Sequence, residues 1–352
     1  MNRLIGHLSL PLRLMFTLAL TCVFALALES CETPPQAPSD IENLLGYLFE
    51  HMGDEDPAAL VVGLENLHAE FQDDDQLQRA REGFTIETLP AAAVTSLDDR
   101  DRSAAGLQGI AVATKSPYCS RALAGLLTWE GFEQLLDNFD FYNRTFSQDP
   151  ECFGDRECSQ VDATSHTKSA WARIVEMESR YVIQYRWIET KFGWMMLQRF
   201  WLLDPVDGDK FDVKMNANYY IGIIMDDGGR AAAPISPAFR NAANGNVAQS
   251  GRDIDAAQEA LASAGSLRVH ANWFNVDTGV VPLPDTAIIN TLITNQVNDS
   301  TRHDEWLDTH PDMVDCPQIQ AELSEGGSEG GSEGGSEGGS EGGSEGDKGA
   351  DQ

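Results

Sequence analysis

Residues 181-YVIQYRWIETKFGWMMLQRFWLL-203 decide how this chain is read. Tyr181, Ile183, Tyr185 and Trp187 fall on one side of an extended run, and Val182, Gln184, Arg186 and Ile188 on the other. After a turn at 191–193, Trp194, Met196, Gln198, Phe200 and Leu202 alternate with Met195, Leu197, Arg199, Trp201 and Leu203. A period of two is that of a strand. Both sides carry bulk, so both faces of the resulting sheet are expected to be covered.

Moving outward, 168–178 and 211–225 read as further strands, with turns at 179–180 and 204–210, which gives an antiparallel meander. Upstream, Ile41, Leu44, Leu45, Leu48, Phe49 and Met52 recur at steps of three and four behind Ser39 or Asp40 as cap. A second stripe runs from Leu60 to Phe71, so 39–71 predicts a helical hairpin. Short strands follow at 84–89 and 107–114, then one helix or two short ones between Leu123 and Phe139. Residues 226–266 are poor in apolar side chains apart from a modest helix at 253–264. A strand at 267–276 comes next. Pro284-Asp285 then opens an amphipathic helix with Ile288, Ile289, Leu292, Ile293 and Val297 as its buried stripe. The fold class expected is α+β, a single globular domain over 39–323. This order of helices, curved antiparallel sheet and late amphipathic helix is similar to START-like ligand-binding folds, and the resemblance implies a pocket against the sheet.

With 56 acidic against 24 basic residues, the chain has a formal charge of -32. That argues against nucleic acid, whose phosphates need clustered Lys and Arg. No His-Glu-x-x-His, Gly-x-Ser-x-Gly, Walker loop or dinucleotide fingerprint is present, so no catalytic residue, metal or cofactor is expected. Arg173, Arg186 and Arg199 stand on apolar ground in an acidic protein. With Trp194 and Trp201 they are the candidate lining of a ligand pocket with aromatic walls, the arginines anchoring an anion. The competing reading pairs each arginine with a carboxylate or lays it along an aromatic face. An enzyme using these arginines and His270 on the same sheet is the alternative function.

The ends are not domain-like. Residues 14–28 run without charge behind Arg3 and Arg13, too short to span a bilayer and of the right length for a signal-peptide core. They lead into Leu28-Glu29-Ser30-Cys31, which resembles the lipobox of bacterial lipoproteins, although Glu29 departs from the small or apolar residue usual there. The resemblance implies cleavage of 1–30 and acylation of Cys31, hence a lipid-anchored protein of the cell envelope facing the periplasm or exterior. The alternative is a secreted protein. Cys31 to Pro38 reads as a Pro-rich tether, and 324–352 as a solvated tail of Ser-Glu-Gly-Gly repeats. Once Cys22 leaves and Cys31 is acylated, four cysteines remain, suited to disulfides in an oxidising compartment. Four cysteines permit three pairings, of which Cys152 with Cys158 is the most local and would leave Cys119 with Cys316. The partners expected are the membrane, through the lipid, and a small apolar ligand or another envelope protein.

Overall fold

A computed structural model describes residues 35–135, 139–171, 175–226, 265–280, 284–314 and 316. The leader with Cys31, the start of the tether, Arg173, the expected helix at 253–264 and the repeat tail lie outside the described residues.

The protein is α+β. Helices α1 (Ile41–His51) and α2 (Ala58–Glu70) form the expected hairpin, and α3 (Asp74–Glu82) follows. Asp40 starts α1 by accepting a 3.0 Å hydrogen bond from the Asn43 backbone N–H, which satisfies one of the orphan donors of the first turn. The last residues of the tether do not hang free: Asn66 Nδ2 donates to the Pro38 carbonyl at 3.1 Å.

Nine strands among the described residues make one antiparallel sheet. They are β1 (Phe84–Ile86), β2 (Gln108–Ser116), β3 (Phe139–Phe146), β4 (Gln160–Trp171) and β5 (Val175–Thr190). The rest are β6 (Gly193–Leu202), β7 (Val206–Asp207), β8 (Lys214–Asp226) and β9 (Ser266–Asp277). The order is β1-β2-β9-β8-β6-β5-β4-β3, with the short β7 beside β8. The meander runs from β3 to β9, and the early hairpin β1–β2 completes it by pairing β2 with β9.

Three expectations need correction. The turn at 179–180 is absent, because Ser179 and Arg180 pair with Thr167 and His166 inside a 16-residue β5. Residues 139–146 are strand β3 rather than the end of a helix; they alternate in partial burial at the sheet's edge. The region before them divides into α5 (Ser120–Thr128) and a 3-10 turn at Phe132–Leu135. The late helix is a single α7 (Asp285–Thr309), but only Ile288 of its proposed stripe is buried, and Val297 is exposed. The short helices α4 (Ala91–Thr95) and α6 (Glu151–Gly154) sit in connections.

Two apolar layers result. On one face, Leu44, Leu48 and Phe49 of α1 and Leu60 and Leu64 of α2 pack with Leu197, Ile221 and Trp273 of the sheet, all fully or almost fully buried. Each such side chain contributes about 1.5–3 kcal/mol on burial. On the other face, α5, α6 and the end of α7 meet Ile183, Tyr185, Trp187 and Met196. Disulfides join Cys152 to Cys158 within the α6 connection and Cys119 to Cys316 across 197 residues.

Candidate functional site

The second layer is not filled. Between the sheet, α5 with its 3-10 turn, and α7 lies a cavity of about 270 Å3. Its apolar lining comes from Leu123, Leu127 and Phe132 of α5 and the 3-10 turn and from Ile183, Met196 and Phe200 of the sheet. Phe200 stacks on Tyr220 with ring centroids 4.5 Å apart. Gly222 makes room for this arrangement, since a Cβ there would lie 2.6 Å from the Tyr220 hydroxyl oxygen. Leu292, Asn295 and Gln296 of α7 border it on one side.

Polar side chains from β4, β6, β8, β9 and α7 supply the rest of the lining, and one face of β9 brings three of them. Alternation along β9 sends Leu267, Val269, Ala271 and Trp273 into the α1–α2 layer and Arg268, His270 and Asn272 toward the cavity. Arg268 is 2% exposed. Its Nη2 donates to Asp304 Oδ2 at 2.9 Å, and Asp304 Oδ1 accepts from Ser116 Oγ at 2.7 Å. Its Nε and Nη1 have no hydrogen-bond partner among the described residues, nor has Asn272 Oδ1. His270 is held at both ring nitrogens, Nδ1 by the Tyr220 hydroxyl at 2.7 Å and Nε2 by Ser300 Oγ at 3.0 Å. Thr114 Oγ1 donates to that same Ser300 oxygen at 3.0 Å. Burial, with the Arg268 charge adding to it, pushes the His270 pKa down to about 3. His303 on α7 is pushed to about 3 by the same two causes, with smaller contributions from His270 and Arg302. Both rings are therefore neutral at ordinary pH. Burial also raises the pKa of Asp304, against the lowering effect of Arg268.

The residues singled out from the sequence lie elsewhere. Arg186 and Arg199 point to the opposite face, where they donate to backbone carbonyls at the end of α1. Arg199 Nη1 reaches Phe49 O at 2.7 Å and its Nε reaches Gln184 Oε1 at 2.7 Å. Arg186 Nη1 reaches Met52 O at 3.0 Å. The last carbonyls of a helix have no partner within it, and these guanidinium groups supply one. Trp201 is buried on that face with Nε1 3.4 Å from Asp98 Oδ2, while Trp194 is 36% exposed near Arg156. None of these four lines the cavity. His270 does, and Arg268 is the arginine beside it. The signal for Arg268 was present as alternation, because Arg268, His270 and Asn272 share a face. A strand with one apolar and one polar face ordinarily reads as half solvent-exposed, and nothing local reveals that α7 covers this one.

A larger groove of about 1170 Å3 runs past Trp129, Arg144 and Asp155, open to solvent and bordered by Glu130, Glu133 and Glu151. Arg144, which lines it, is spent on the Leu127 and Trp129 carbonyls at the end of α5. Among the described residues no group of three or more His, Cys, Asp or Glu is placed to hold a metal ion, and no helix is long and apolar enough to cross a membrane.

No protein-family model and no curated protein matches the chain. Among solved structures it is similar to Ara h 8.0201, at TM-score 0.30 and 9% identity over 57% of this chain and 98% of that one. It is also similar to a STAR-related lipid transfer protein fragment from Xanthomonas axonopodis, at TM-score 0.30 and 9% identity over 60% and 96%. Human STARD10 gives TM-score 0.28 and 7% identity over 68% and 90%. Superpositions this loose carry no argument, and the fold is read from its own strand order.

Proposed function

We propose that the chain is a binding module that holds a small hydrophobic or amphipathic molecule between its sheet and α7. The observation that carries this reading is the cavity itself, a mostly apolar lining interrupted by polar side chains from the sheet and α7. That combination is the usual composition of a small-molecule site. His270 favours binding over chemistry: both its nitrogens are engaged, and with its pKa near 3 it is a poor general base at neutral pH. The test is native mass spectrometry of protein purified from its own host. A bound mass that disappears on denaturation is the expected result, and repeated preparations without one count against the reading.

The site works, on this proposal, at a cell envelope. Cys31 in its lipobox-like setting supports a lipid anchor, and the Pro-rich tether supports a domain carried close to the bilayer. Cys31→Ala should move the protein from the membrane fraction to the soluble fraction. Retention of the mutant on membranes after loss of the leader would remove the anchor from the proposal and leave the binding module standing.

A further inference from the structure

Arg268 marks what the ligand carries. A guanidinium this buried ordinarily finds partners for most of its donors, because an unsatisfied charged donor out of water is costly. Here Asp304 takes Nη2, and Nε and Nη1 are left without an acceptor among the described residues, on a side chain that lines the cavity.

The surrounding charge gives the sign of the missing acceptor. Asp304 is the one carboxylate bonded to Arg268 among the described residues, it is shared with Ser116, and burial works against its charge. Asp299 also borders the cavity, but it is ion-paired with Arg302 at 3.3 Å. His270 and His303 are neutral partly because Arg268 opposes a second positive charge beside it. The field at this end of the cavity therefore favours an anion. Size limits the rest of the molecule: about 270 Å3 lies just under the roughly 300–1000 Å3 of drug-sized sites. One short chain or a small ring system fits, and a two-chain lipid does not.

We propose that the ligand is a small amphiphilic carboxylic acid, bound as its anion with a carboxylate oxygen accepting from Arg268 and its apolar part against Ile183, Met196 and Phe200. This rests on the binding-module reading and adds the ligand's head group to it.

Isothermal titration of the full chain with decanoate, methyl decanoate and decanol separates the two claims. Decanoate should bind more tightly than the ester or the alcohol by about ten-fold or more, the worth of a charge-assisted hydrogen bond. Arg268→Gln should remove that preference while leaving binding of the ester in place. Equal binding of all three to the unaltered protein overturns the carboxylate and leaves the cavity reading intact, whereas failure of all three overturns the proposed ligand and leaves the cavity reading to the native mass measurement. A preference for decanoate that survives Arg268→Gln overturns the role given to this arginine. Should Arg268→Gln fail to fold, Arg268→Lys keeps the charge, and the three-ligand comparison on the unaltered chain still decides the head group.

Discussion

Arg186, Arg199 and Arg268 are the same residue type on three strands of one sheet, and what lies opposite each decides its role. Arg199 is 5% exposed, and burial lowers its pKa to about 10, so it remains charged at neutral pH. It holds the end of α1 to the sheet. Arg199→Met should therefore cost about 1–3 kcal/mol in urea unfolding, the penalty for leaving the Phe49 carbonyl unsatisfied, with no change in decanoate affinity. Gly222→Val is the reverse case. The added side chain must displace the Tyr220 ring, so ligand affinity should fall several-fold in titration, with a stability loss of about 1–3 kcal/mol from overpacking. The two part-buried histidines predict a pH dependence. Their folded pKa lies below the unfolded value near 6.5, so their contribution is complete above about pH 6.5. It is lost as pH falls toward 3, because the unfolded chain takes up protons that the folded one refuses. Each should cost on the order of 1 kcal/mol per pH unit across that window. His303→Gln should flatten the fall in unfolding free energy between pH 6 and 4. An unchanged slope would mean that His303 is not held neutral in the folded chain.

At the scale of elements, the face enclosing the cavity is roofed by α5 and α7, and one bond ties them together. Cys119 precedes α5, Cys316 follows α7, and Leu307 near the end of α7 is fully buried with them. In the chain-entropy model, cross-linking 197 residues stabilises by up to about 5 kcal/mol, against about 2 kcal/mol for the six-residue loop of Cys152–Cys158. Replacing Cys119 and Cys316 by Ser should thus lower the melting temperature more than replacing Cys152 and Cys158. Hydrogen exchange should rise along 285–309 in the first variant and stay near normal there in the second. The sheet needs no such clamp. Trp187, 2% exposed with Nε1 donating to Phe153 O at 2.8 Å, should cost about 3–5 kcal/mol when truncated to Ala. Arg186 on the opposite face should also lose stability on truncation, because that face is packed under α1 rather than open to a ligand.

Over the whole molecule, one sheet separates a filled helical layer from one that keeps a cavity. Deletion of 324–352 should leave the melting transition where it is, since a Gly-, Ser- and Glu-rich coil has almost nothing apolar to bury. A fall of several degrees in calorimetry would show that the tail docks on the folded part. What the sequence determined by itself is local or compositional. The period of two through 181–203 specified strands with two bulky faces, and Asp40 and Pro284 marked where helices begin. The boundaries that went astray, at 139–146 and 179–180, were settled by pairing with β4, the neighbouring strand of the meander, which overrode the local turn and helix signals. Tertiary structure alone decided which face of the sheet encloses space. Alternation tells two faces apart but does not say which helices land on each. The partners that fix the answer are far off in sequence: Phe49 for Arg199, 150 residues away, and Ser300 for His270 on a helix that crosses from beyond the last strand. Arg186 and Arg199 were drawn to the helix end that needed donors, and Arg268 was left facing the cavity.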